Sequence, residues 1–262
     1  MGLIFCAINS SCAAAEQLKP ETVAAFNRYV ELSERQRASA PFLQIDGLSP
    51  AEREASYARL RNNEVIVEPL QIRDHVQPVS LPSGLIHHWM GTIFIPGVTL
   101  AQTLSFLEDY DNQYKFYGPD VQQSKLIQRD GDRFKVFLRL RKTKVVTVIL
   151  NTEYDVKYTR LDADRATSDS RSTRIAEVEN AGKPDESEKP VGDDSGFLWR
   201  LNSYWRFLQR DGGVYVQLEA ISLTRDIPTG LGWLVSPFVS SIPKESLVFT
   251  LTRTREALRV HH

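Results

Sequence analysis

The order of elements between Ser83 and Arg259 constrains this chain most. It reads as one strand, two short helices, about six antiparallel strands and one long helix. A curved antiparallel sheet with a single long helix across it encloses a space that either side chains or a ligand must fill. The last hairpin is the best specified. Asp211-Gly212 turns residues 197–209 back against residues 214–225. A two-residue turn pairs odd positions of the first strand with even positions of the second. Trp199, Leu201, Ser203, Trp205 and Phe207 then share a face with Val216, Leu218 and Ala220. This apolar face is expected to point inward, where it either fills the core beneath the helix or lines a cavity. Arg200, Asn202, Tyr204 and Arg206 with Gln217 and Glu219 form the other face. It is expected to be solvated, so neither Arg206 nor Glu219 is read as catalytic.

The remaining elements follow from similar signals. Asp130-Gly131 separates strands at 121–129 and 134–141, and a long strand covers 145–158. Residues 167–179 alternate but are more polar. Residues 181–196, rich in Gly, Pro, Asp and Glu, are expected to bury nothing and to form a flexible surface loop. Residues 85–95 are extended and apolar, ending at Pro96-Gly97, and Thr99 caps a helix carrying Leu100, Leu104 and Leu107. Pro243 opens the final helix, which runs to about Arg259. Leu247, Leu251, Thr254 and Leu258 make its buried stripe.

Ahead of this block, residues 16–82 read as a helical extension. A first helix spans 20–38 with Val23, Phe26 and Val30 at helical spacing. Ser49-Pro50-Ala51-Glu52 is a capping box that starts a second. Residues 1–15 look like the end of a secretory signal, with an apolar stretch and Ala13-Ala14-Ala15 before Glu16. The expectation is a secreted or periplasmic protein, otherwise a cytoplasmic one.

Several function classes are disfavoured. A net charge of -1 offers no field for nucleic acid. The two cysteines, Cys6 and Cys12, leave the body of the chain without disulfides or a cysteine metal site. No run of about 20 apolar residues exists to cross a membrane as a helix. There is no nucleophile elbow, P-loop, dinucleotide fingerprint or His-Glu-x-x-His, and no cofactor is expected.

The candidate polar contacts are few. His87 and His88 are adjacent on a strand and face opposite sides, so they make a poor metal pair. One of them, taken as His88, is a candidate contact inside the cavity. Arg171, Ser172 and Arg174 sit on the most polar strand. A buried Arg174 would anchor a carboxylate or phosphate bidentately, whereas a solvated edge strand explains the same pattern. The apolar segment from Gly230 to Phe238, with Trp233, is a candidate gate that touches a membrane transiently during ligand exchange; a buried turn leading into the last helix reads equally.

The order of elements resembles the helix-grip α+β fold of the superfamily that includes START lipid-transfer domains, pollen-allergen-like proteins and bacterial polyketide cyclases. The likeness covers residues 83–259. It rests on Ile95-Pro96-Gly97-Val98, the segment Tyr114 to Asp120, Asp211-Gly212-Gly213 and the segment Ile242 to Leu247. The resemblance implies a curved sheet wrapped around the C-terminal helix, with a cavity between them for a lipid-like or other apolar guest. It divides the chain into 16–82 and a START-like domain at 83–262. The cavity lining is then expected from Trp199, Leu201, Ser203, Trp205, Phe207, Val216, Leu218, Ala220, Leu247, Leu251, Arg174 and His88. Binding, and transport, of a hydrophobic small molecule is the leading expectation. An enzyme of cyclase, dehydratase or hydrolase type, or an interaction module with a filled cavity, are the alternatives.

Overall fold

Helix α1 (Pro20–Ser39) starts on a proline and buries Phe26, Tyr29 and Val30 from one stripe. Helix α2 (Pro50–Arg61) starts at the Ser49/Glu52 capping box, in which each residue satisfies the other's backbone N–H. The computed structural model describes residues 16–74, 77–79, 81–144, 146–226 and 241–260. The expected signal segment and the gate segment from Gly230 to Phe238 lie outside them. No helix among the described residues is long and apolar enough to cross a membrane.

Eight strands build the main sheet: β1 (Ile66–Pro69), β2 (Leu85–Pro96), β3 (Val121–Asp130), β4 (Arg133–Thr143), β5 (Thr147–Arg160), β6 (Arg165–Glu179), β7 (Arg200–Arg210) and β8 (Gly213–Thr224). Their order is β1-β2-β8-β7-β6-β5-β4-β3, all neighbours antiparallel. Between β2 and β3 come α3 (Leu100–Glu108), capped by Thr99 and Gln102, and the short α4 (Gln113–Phe116). The chain closes with α5 (Ile242–Val260), which buries Leu247, Leu251, Thr254 and Leu258. This is the helix-grip α+β architecture.

Glycine sets the closest approach of helix to sheet. A methyl group at Gly91 on β2 would lie 2.6 Å from Leu251 Cδ1 and 3.3 Å from Leu247 Cδ2. Only a residue without Cβ lets α5 lie this near the strand.

The last hairpin has the register expected of it. Arg210 pairs with Gly213, Trp205 with Leu218 and Ser203 with Ala220. Asp211 and Gly212 both take positive φ, as a primed turn requires. The first hairpin turns one residue later than expected. Asp130 pairs with Arg133, so Gly131 and Asp132 form the turn, with Gly131 at positive φ.

Two expectations fail, both because the N-terminal region covers more than expected. The face carrying Tyr204, Arg206, Gln217 and Glu219 is not solvated. Helix α1 lies over its centre, where Phe26, Tyr29 and Val30 pack with Tyr204, Ile221 and Leu223. Residues 181–196 are not a loop that buries nothing. Ser187–Glu188 pairs with the end of β6, and Asp193–Asp194 pairs with Glu16–Gln17. Asp194 is buried and accepts hydrogen bonds from Gly196 N–H and the Trp199 indole.

Candidate functional site

The inner face of the sheet has two halves. On β2, β7 and β8 it is filled. Ile93, Ile95, Phe207, Val214 and Val216 pack against Leu100, Leu104, Leu251 and Leu258 without leaving space for a guest. On β4 to β8, facing the first turns of α5, it is hollow. A cavity of about 300 Å³ opens there, within the size range of small-molecule sites.

Each wall follows from strand alternation. Val136, Leu138 and Leu140 come from β4, and Val148, Leu150, Tyr154, Val156 and Tyr158 from β5. Ser168 and Ser170 come from β6, Leu201, Ser203 and Trp205 from β7, and Leu218, Ala220 and Ser222 from β8. Leu247 and Phe249 of α5 form the roof, and Trp89 closes one side. Small side chains make the room: Ser170, Ser203 and Ala220 sit in one row across three strands.

Of the residues expected to line a cavity, Leu201, Ser203, Trp205, Leu218, Ala220 and Leu247 lie on this wall. Six residues are placed elsewhere. Phe207, Val216 and Leu251 face inward but belong to the filled half. Trp199 lies just before β7, where the alternation no longer holds. It is 2% exposed and packs on the outer side with Phe26 and Tyr29 of α1.

Arg174 points to the outer side and pairs with Glu188 at the surface. The cause is a β-bulge. Ser172 pairs with Tyr154 and Arg174 with Glu153, so Thr173 is extra and side chains beyond it change faces.

His88 also faces outward, as its pairing with Ile221 requires. Its neighbour His87 is the inward one. His87 Nε2 lies 3.0 Å from Thr224 Oγ1, a cavity residue. Burial lowers its pKa to about 4, so it is neutral at pH 7.

The outer face instead carries a buried polar cluster. Glu219 Oε1 accepts from His88 Nε2 at 2.8 Å, from Ser33 Oγ at 2.9 Å and from Arg37 at 2.8 Å; Oε2 accepts from Arg37 Nε at 2.8 Å. A carboxylate only accepts, so His88 Nε2 carries the hydrogen. His88 Nδ1 lies 2.9 Å from the Tyr29 hydroxyl, which accepts from Ile72 N–H. Arg206 donates to the carbonyls of Arg37, in the last turn of α1, and of Pro41 and Phe42 just beyond it. Burial alone would raise the Glu219 carboxyl. The hydrogen bonds from Arg37 and His88 outweigh it and hold the group well below the usual carboxylate range. The cluster fixes α1 to the sheet and does not open into the cavity.

Polar groups in the cavity are hydroxyls and the Gln113 amide, which donates to the Leu107 carbonyl, with one ion pair at the rim between Asp120 and Lys142. Tyr110 and Tyr158 hydroxyls are 3.1 Å apart, and Tyr158 also bonds Ser168. Tyr117 is bonded to Thr254 at 2.8 Å, and Thr254 donates onward to the Thr250 carbonyl. Burial pushes the Tyr117 and Tyr154 phenols up to about 12, and it raises Tyr110 and Tyr158 too. Among the described residues no cluster of three His, Cys, Asp or Glu side chains could hold a metal ion.

A second concavity, about 580 Å³, lies on the outer side of β4 to β6. Asp130, Arg133, Lys135, Asp155, Lys157 and Arg171 line it. Its mixed charges make it a solvated groove.

No protein-family model matches the chain, and no curated protein matches it. Similar solved structures do exist. One is a STAR-related lipid transfer protein from Xanthomonas axonopodis, 16% identical, with a TM-score of 0.46 over 73% of this chain and 98% of that one. Human STARD10 is 12% identical, with a TM-score of 0.44 over 80% of each chain. The Zhui aromatase/cyclase from Streptomyces sp. R1128 is 11% identical, with a TM-score of 0.43 over 67% of this chain and 94% of that one.

Proposed function

We propose that this protein binds, and carries, an apolar or amphipathic small molecule enclosed between β4–β8 and the first turns of α5. The observation that carries this reading is the division of the inner face. The same sheet and helix are packed solid on one half and left hollow on the other, and the hollow is walled by small side chains set among large apolar ones. Empty apolar space costs stability, because lining atoms lose their contacts. A guest restores them. Enclosing about 200 Å² of apolar guest surface, at ~25 cal/mol per Å², contributes about 5 kcal/mol before ordering costs.

Two experiments test the proposal together. Native mass spectrometry of protein purified without detergent is expected to show a bound small molecule. Ala220→Trp fills the row of small residues, so that variant should lose the molecule while keeping a cooperative thermal transition. A wild-type protein that takes up the neutral hydrocarbon probe diphenylhexatriene no better than Ala220→Trp overturns the reading.

A further inference from the structure

The charge inventory of the cavity limits what can enter it. Among the described lining residues, the side chains charged at neutral pH are Asp120 and Lys142, and these neutralise each other at the rim. The buried phenols and His87 are neutral near pH 7. A carboxylate or phosphate carried inside would lose its hydration and meet no counter-charge.

Counting hydroxyl hydrogens shows which of the cavity's tyrosine clusters can still donate to an oxygen. Tyr117 donates to Thr254, whose own hydrogen goes to the Thr250 carbonyl. Tyr154 bonds Thr152, whose hydrogen goes to the Leu138 carbonyl. Both chains end on backbone acceptors and are complete. Tyr110, Tyr158 and Ser168 form a chain of three hydroxyls with two bonds between them. Three hydrogens and two internal bonds leave one hydrogen to donate. This cluster sits where β5 and β6 meet, walled by Val156 and Leu107.

Resting on the binding reading above, we infer that the cavity selects an uncharged guest, whose hydroxyl or carbonyl oxygen accepts from the Tyr110–Tyr158–Ser168 cluster, and excludes guests that bring an anionic group inside. The apolar remainder of the guest lies along Leu150, Leu201 and Trp205.

Dodecanol, dodecanoate and dodecyl phosphate share one chain and differ in the head. Their binding is read by displacement of diphenylhexatriene and by the fluorescence of Trp89 and Trp205, at mildly alkaline pH. Dodecanol is expected to bind about tenfold tighter than either anion. Tyr110→Phe/Tyr158→Phe/Ser168→Ala, which leaves the cluster no hydroxyl hydrogen, is expected to lose about tenfold in dodecanol affinity and to keep its affinity for diphenylhexatriene. Anions that bind as tightly as the alcohol overturn the charge selection. A Tyr110→Phe/Tyr158→Phe/Ser168→Ala protein with unchanged dodecanol affinity overturns the anchoring cluster; if it does not fold, wild-type protein that binds 1-chlorododecane, which lacks the oxygen, as tightly as dodecanol overturns it instead. Absence of diphenylhexatriene binding by the wild type sinks the cavity reading instead, so the two failures are distinguishable.

Discussion

Replacing Glu219 with glutamine tests how the outer face of the sheet is held. The carboxylate takes two hydrogen bonds from Arg37, one from Ser33 and one from His88, all at 2.8–2.9 Å. The glutamine side chain can keep an oxygen where Oε1 stands. It then presents an amide NH₂ to the Arg37 Nε–H, donor against donor. The guanidinium, half-buried and stacked 3.5 Å from the Tyr204 ring centroid, loses its counter-charge. Hydrogen bonds to charged groups contribute about 1.5–3 kcal/mol each, and breaking a buried pair costs about 3–5 kcal/mol. Glu219→Gln is therefore expected to destabilise by about 3 kcal/mol. For a domain of this size that lowers Tm by roughly 6–12 °C.

Urea unfolding followed by far-UV circular dichroism measures the difference. The pH dependence has a definite sign. The Glu219 carboxyl is held below its ordinary value of 4.5, so its stabilisation is complete above that value and is lost as pH falls below it. The gap between wild type and Glu219→Gln should close in the same acid range. A solvated glutamate at this position would change stability by no more than about 0.5 kcal/mol on substitution. A measured loss below about 1 kcal/mol, or a gap that widens in acid, refutes the buried cluster as the clamp on α1.

Three further substitutions probe other parts of the fold. Gly91→Ala drives a methyl into Leu251 and should cost about 1–3 kcal/mol by overpacking, read from the urea midpoint. His87 binds its proton less readily folded than unfolded, so stability should fall as pH drops from 6.5 towards 4, by at most about 3 kcal/mol; His87→Asn should remove that slope in pH-dependent unfolding. Arg174→Ala breaks a surface pair with Glu188 and should shift the urea midpoint by less than about 1 kcal/mol, while leaving diphenylhexatriene binding unchanged.

The sequence announced the frame because its signals are local. Capping boxes, primed turns and strand alternation act over a few residues, and Ser49, Thr99 and Asp211-Gly212 stand where such signals put them. The cavity residues taken from the last hairpin were legible for the same reason, since the turn alone sets which side chains share a face. What stayed hidden depends on partners far away in the chain. Nothing near Glu219 in sequence shows that Ser33 and Arg37 will cover it, so a polar face reads as a wet one. Nothing in the run from Arg171 to Arg174 marks Thr173 as the extra residue, because the bulge exists only against β5. One skipped residue turned Arg174 away from the cavity and put Ile175 inward beside Leu150. The bulge thereby removes a cation from the wall that the inferred guest must face. The charge-free interior is thus a product of register as much as of composition. A deletion of Thr173 removes the bulge and leaves Arg174 opposite Glu153, still outward, with Ile175 still inward. That variant should therefore keep the order expected for the native chain, dodecanol above dodecanoate in displacement of diphenylhexatriene, and a reversal would refute the account of the bulge.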